Sequence, residues 1–110
     1  QTQNTQPLML ASGVATYRVW QELNGSTPLI MAGHSLGEYT ALVASGALSF
    51  SDGVTLVRDR GRYMQDAVPA GEGGMAAIIG LDDAQVIRVC AEIAGDDVID
   101  FSEANPFGDP

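Results

Sequence analysis

Leu29-Ile30-Met31-Ala32-Gly33-His34-Ser35-Leu36-Gly37-Glu38 decides how this chain reads. Its first four residues are an apolar run, expected as a short buried strand. The run ends in Gly-x-Ser-x-Gly, Gly33 to Gly37, the nucleophile-elbow pattern in which a serine stands on a tight turn between strand and helix. The hydroxyl must stand clear of the main chain, and this strains the turn. Glycine on either side lets strand and helix approach without a Cβ between them. Leu36 to Ser45 follows with a helical pattern, and Gly46 supplies its C-terminal stop. Ser35 is thus the candidate nucleophile. The backbone N–H of Leu36, at the start of that helix, faces a developing oxyanion with help from the helix dipole.

Composition narrows the setting. The chain has 110 residues, a net charge of −9 and no lysine; its basic residues are Arg18, Arg58, Arg60, Arg62 and Arg88. Such a balance argues against nucleic acid or an anionic membrane as a partner. No apolar run has membrane-spanning length and no signal peptide is visible, so a cytoplasmic setting is expected. The single cysteine, Cys90, falls on the apolar side of an expected helix and reads as packing rather than catalysis. There is no initiator Met, no opening strand, and an ending in turn chemistry (Asn105 to Pro110), all expected of an internal piece of a larger protein.

Taken in order, Pro7 to Leu23 reads as a helix with Leu10, Val14, Tyr17 and Leu23 on one face, and Trp20 as core or helix-interface packing. Ser49 to Asp52 resembles a capping box with Asp in place of Glu. It opens a helix to Val68 whose apolar stripe is Val54, Val57, Gly61, Met64 and Val68. Arg58 and Arg60 flank that stripe and Arg62 points further toward solvent. Periodicity alone does not choose between the first two; Leu56 and Met64, four residues either side of Arg60, lean slightly toward it. Gly-rich Ala70 to Gly74 marks a boundary or hinge. Met75 to Leu81 reads as a strand, Ala84 to Ala94 as a helix begun by Asp82 and Asp83, and Val98 to Phe101 as a short strand. Residues 82–110 carry eight of the fourteen acids, a solvated acidic face with no calcium-loop pattern, and no metal site is expected.

Three motifs together resemble those of the malonyl-CoA:acyl-carrier-protein transacylase family: Gly33-His34-Ser35-Leu36-Gly37-Glu38-Tyr39, Arg58-Asp59-Arg60-Gly61-Arg62-Tyr63-Met64-Gln65, and Gly74-Met75-Ala76-Ala77-Ile78-Ile79-Gly80-Leu81. The likeness runs from about Gln6 to the low 90s and keeps the family's order and approximate spacing. It implies an α/β fold: residues 1–72 as part of an α/β-hydrolase-like large subdomain with the elbow, and 73–110 as the start of a small ferredoxin-like subdomain.

The resemblance also implies chemistry. Ser35 attacks the malonyl thioester of coenzyme A, and the phosphopantetheine thiol of acyl carrier protein then takes the malonyl group, in fatty acid biosynthesis. Malonyl-CoA and acyl carrier protein are the implied partners, with the coenzyme A thioester as substrate and no resident cofactor. Arg60 aligns with the arginine that grips the free carboxylate, a task suited to a planar two-pronged donor. Gln6 aligns with a glutamine of the same pocket. The substrate-binding set is therefore Arg60, Gln6, the Leu36 N–H and His34.

A serine nucleophile also needs a base. The one histidine, His34, directly precedes Ser35, and neighbours entering such a turn direct their side chains apart. A hydrogen bond anchoring the turn is its expected role. The family uses a later histidine and an earlier Gly-x-Gly-x-Gln loop, neither of which is in this sequence, so the chain alone is expected to be inactive. Past Phe101 the family's Asn-rich loop is not matched. A serine esterase shares the elbow but needs neither the arginine nor the Gly-Gly-Met-Ala-Ala strand. A polyketide synthase acyltransferase domain is a nearer alternative, disfavoured by Arg60 to Gln65.

Overall fold

Gln6, Leu10 and Val14 recur every fourth residue, and all three are buried on one side of helix α1, Thr2–Glu22. The computed structural model describes residues 2–101, which fall into two compact units divided between Gly73 and Gly74. The first unit holds α1, α2 (Leu36–Ala44) and α3 (Phe50–Ala67), each packed against the other two. Helix α1 begins a turn earlier than Pro7 suggested. Pro7 therefore lies inside the helix, in its second turn, and cannot donate the main-chain bond to the carbonyl of Gln3.

The core is small. Leu10, Val14 and Val57 are buried, with Leu36, Tyr39, Val43 and Val54 packed partly buried around them. Gly53, Val57 and Gly61 form the buried stripe of α3, so the stripe turns slightly from its expected line: Gly53 joins it, while Met64 and Val68 are about half exposed. Gly53 allows the close approach. A Cβ there would lie 2.9 Å from Val43 Cγ2 and 3.3 Å from Leu10 Cδ2. Ser49 caps α3 by accepting from the Asp52 N–H at 3.2 Å. The reciprocal half of the box is not formed, since an Asp carboxylate is one methylene shorter than the Glu this motif uses.

Helix α2 stops where glycine allows it. Gly46 takes φ 83°, its N–H reaches Val43 O, and the Ala47 N–H reaches Leu42 O at 3.0 Å. These are the two bonds of a Schellman motif. Trp20 corrects its expected place: it is half exposed and lies over the Gly25 turn, its Nε1 donating to Ser26 O at 3.0 Å. Leu23 is likewise exposed, lying beyond the last turn of α1.

The second unit contains α4, Asp83–Ile93, started by a full capping box. Asp82 Oδ1 accepts from the Gln85 N–H at 2.8 Å and Gln85 Oε1 from the Asp82 N–H at 3.2 Å. Val86, Cys90 and Ala94, one turn apart, are its half-buried line.

The strand expectations need correction. Leu29–Ala32, Met75–Leu81 and Val98–Phe101 form no ladder among the described residues, and Leu29 and Met75 are fully exposed. An apolar run becomes a strand only when another strand satisfies its N–H and C=O groups, and no other described segment pairs with these. The expected α/β character is therefore not expressed within residues 2–101, whose regular structure is four helices. The unmatched stretch after Phe101 lies outside the described residues.

Candidate active site

Ser35 is the N-cap of α2, with φ 53° and ψ −117°. A positive φ at a residue with a Cβ costs on the order of 1–3 kcal/mol and persists only where the surroundings impose it. Gly33 shows what imposes it. A Cβ at that position would lie 2.1 Å from both the carbonyl carbon and oxygen of Gly37, and 2.6 Å from Glu38 N. The chain entering the turn thus runs directly against the first turn of α2, which only glycine permits. Gly37 differs from expectation: a Cβ there would meet nothing within 4 Å.

Serine is a favoured N-cap because its hydroxyl satisfies an orphan helix N–H. Ser35 makes no such bond. Main-chain bonds close the turn instead, from the Gly37 N–H to His34 O at 2.9 Å and from the Glu38 N–H to Ser35 O at 3.3 Å. The Ser35 hydroxyl is left exposed and available to partners from elsewhere. The Leu36 N–H has no partner among the described residues and opens α2 at its positive end.

The partner is Arg60. Its Nη2 donates to Ser35 Oγ at 2.8 Å, while Nη1 donates to Gln6 Oε1 at 2.6 Å. Gln6 is 5% exposed and its Nε2 donates onward to Met64 Sδ at 3.4 Å. The guanidinium carbon stands 5.7 Å from the centre of the Tyr39 ring, within cation–π range. All three helices therefore contribute: α1 through Gln6, α3 through Arg60 and Met64, and α2 through Tyr39 and the cap at Ser35.

The other arginines of α3 are placed differently. Arg58 and Arg62 both lie 3.7 Å from Asp59 and their side chains are 62% and 54% exposed, an arrangement of solvated surface pairs. The ambiguity between Arg58 and Arg60 in the sequence pattern is thus resolved as placement: Arg60 alone of the two reaches Ser35. His34 is exposed, and its imidazole makes no hydrogen bond among the described residues. The expected anchoring bond is not seen among the described residues, where main-chain bonds close the turn. Tyr39 and Met64 gained no site role from the sequence, yet both stand four residues along a helix from a residue of the cluster, Ser35 and Arg60 respectively. That spacing was the available signal.

A bidentate cation next to a strained, exposed hydroxyl and an orphan N–H can hold a carboxylate beside a reacting carbonyl. Residues 1–106 match the acyl transferase domain family. The chain belongs to that family.

Among relatives of this chain, the malonyl CoA-acyl carrier protein transacylase of Escherichia coli K12 is 56% identical over 98 residues, covering 89% of this chain and 32% of that protein. The Bacillus subtilis transacylase is 58% identical over 81 residues, 74% of this chain and 25% of its own length. The solved acyl-carrier-protein S-malonyltransferase of Burkholderia pseudomallei matches with a TM-score of 0.80 at 60% identity, covering 86% of this chain and 31% of that one. One chain of a solved complex, that of a type II PKS acyl-carrier protein with its malonyl-transacylase, matches with a TM-score of 0.83 at 51% identity, covering 89% of this chain and 32% of that one. The chain thus spans about a third of the length of the curated relatives it matches.

Proposed function

We propose that this chain carries the nucleophile and the carboxylate clamp of a malonyl transferase. The enzyme would move a malonyl group from malonyl-CoA to the phosphopantetheine thiol of an acyl carrier protein, as a step of fatty acid biosynthesis in the cytoplasm. The observation that carries the reading is the Arg60 fork, one arm on Gln6 Oε1 and the other on Ser35 Oγ. An ester hydrolase needs no fixed cation against its nucleophile. A transferase for a substrate bearing a free carboxylate does. The transacylase and S-malonyltransferase relatives support the same reaction.

In this scheme Ser35 Oγ bonds to the thioester carbonyl carbon as its proton passes to a general base. Negative charge collects on the carbonyl oxygen, where the Leu36 N–H donates to it. Collapse breaks the C–S bond, and coenzyme A leaves as its thiol after taking a proton back. The malonyl-serine ester remains, its carboxylate held by Arg60. Attack by the acyl carrier protein thiol reverses these steps, forming a new C–S bond and restoring the serine. The substrate is the coenzyme A thioester, and no resident cofactor enters either step.

No base stands beside Ser35 among the described residues; its hydroxyl is bonded to Arg60, whose guanidinium is a donor with no lone pair. We assign the base to sequence outside these 110 residues, in the two thirds of the relatives' length that the chain does not match. The finer architecture belongs to the same proposal. Residues 1–72 would form part of an α/β-hydrolase-like subdomain, with Leu29–Ala32 pairing with strands from outside the chain. Residues 73–110 would open a ferredoxin-like one.

The test is acylation of Ser35 itself. In the full-length protein, malonyl-CoA without acceptor should add one malonyl group, mapped by peptide mass spectrometry to Ser35 and lost in Ser35→Ala. An adduct that survives this substitution, or maps to Cys90, would remove the basis of the proposal.

A further inference from the structure

Gln6 presents an unusual problem. A carboxamide has one end that only accepts and one that only donates, and this one is almost fully buried. Arg60 Nη1 is a donor with no lone pair, so the Gln6 oxygen must face it. The NH₂ group is then forced to the opposite side. There the contact is Met64 Sδ at 3.4 Å, which has lone pairs and no proton to give. Donor-only guanidinium at one end and acceptor-only thioether at the other are compatible with a single amide orientation.

From this arrangement we infer that Met64 is a positioning residue for the carboxylate clamp. It acts through Gln6, without touching substrate, by holding the amide in the orientation that keeps its oxygen on Arg60. Met64 is 46% exposed and contributes little to the core, so burial alone does not account for its place. It stands one helical turn beyond Arg60 on α3, where its sulfur can reach back to α1. The inference rests on the reading of Arg60 as the carboxylate grip.

Removing the acceptor while keeping an apolar side chain of similar size, in Met64→Leu, leaves the Gln6 NH₂ buried and unmet. The amide oxygen still faces Arg60, but the amide loses its second anchor, and Nη1 is left with a less rigidly held partner. The effect falls on the malonyl substrate through KM more than kcat, because a carboxylate is bound both before and during the reaction.

The experiment uses the full-length protein, with steady-state malonyl and acetyl transfer measured for Met64→Leu, Met64→Gln, Gln6→Ala, the Gln6→Ala/Met64→Leu double variant and Arg60→Ala. Met64→Leu should raise the malonyl KM about three- to tenfold, the scale of one hydrogen bond left unmade, and lower the malonyl-to-acetyl ratio. Met64→Gln, whose side-chain oxygen can accept from Gln6, should recover most of that loss. In the Gln6→Ala background Met64→Leu should add nothing. Equal losses in the Leu and Gln variants, or a Met64→Leu effect that persists without Gln6, would show a packing role and overturn the inference. A melting curve for each variant separates either result from misfolding. If Arg60→Ala itself leaves the ratio unchanged, the clamp reading fails. If Arg60→Ala changes the ratio and Met64→Leu does not, only the positioning role fails.

Discussion

Arg60 Nη2 donates to Ser35 Oγ at 2.8 Å across 25 residues of sequence. The bond joins the middle of α3 to the cap of α2, so it forms only when these two helices pack. The Ser35 hydroxyl thus lies beside a fixed positive charge, which under the proposed function favours substrates carrying a negative one.

The first prediction concerns the turn. Gly33→Ala would drive a Cβ into the Gly37 main chain at 2.1 Å, and backbone has no cheap way to move aside. Transfer activity of the full-length protein should fall by at least tenfold, about 1.4 kcal/mol in barrier, with a lower melting temperature. Gly37→Ala meets nothing within 4 Å and should change stability by less than about 1 kcal/mol. Paired melting curves and activities check both; equal damage from the two substitutions would contradict the clash.

A second prediction concerns the core that aligns the helices. Leu10 is fully buried against Val14 and Val57, and Leu10→Ala should destabilise the full-length protein by about 2–5 kcal/mol. Denaturant unfolding measures it. A loss below about 0.5 kcal/mol would mean that the Leu10 contacts are not what holds α1 against α3.

The third addresses the missing base. The purified 110-residue chain, given malonyl-CoA and acyl carrier protein, should transfer no malonyl group at an enzymatic rate, because Arg60 offers the Ser35 proton no acceptor. Radiolabelled transfer reports this directly, and turnover by the isolated chain would place a usable base within it.

Much of this geometry was legible in the sequence wherever its cause is local. Ser49 and Asp82 start helices because their side chains satisfy N–H groups three residues ahead, and Gly46 ends one because it adopts a positive φ cheaply. The Gly33-x-Ser35 spacing carries the elbow for the same reason. The strands are another matter. Leu29–Ala32 and Met75–Leu81 have strand composition, but pairing depends on partners far away in sequence, and none lies among the described residues.

The site divides along the same line. Periodicity left Arg58 and Arg60 nearly equivalent, because both flank the stripe of α3. What separates them is Gln6, 54 residues away and buried on another helix. The contacts of Tyr39 and Met64 with this cluster also cross between helices. The i, i+4 spacing marked them as neighbours of Ser35 and Arg60 without saying what they would touch. For His34, the sequence position suggested a side-chain bond to the turn, and among the described residues the turn is closed by main-chain bonds.

The central claim is that Arg60 holds the carboxylate that distinguishes malonyl from acetyl, and its most direct test is the ratio of malonyl to acetyl transfer in Arg60→Ala, with Arg58→Ala and Arg62→Ala beside it. A carboxylate left unpaired in a partly dry site costs on the order of 2–5 kcal/mol, and each 1.36 kcal/mol is tenfold in rate. In the full-length protein, Arg60→Ala should therefore lower malonyl kcat/KM by roughly tens- to thousands-fold, with acetyl transfer little changed or improved. Arg58 and Arg62, paired with Asp59 at the surface, should leave the ratio within a few-fold of the parent, about the 1 kcal/mol ceiling of an exposed pair. An unchanged ratio in Arg60→Ala, or a larger shift in Arg58→Ala, would contradict the account.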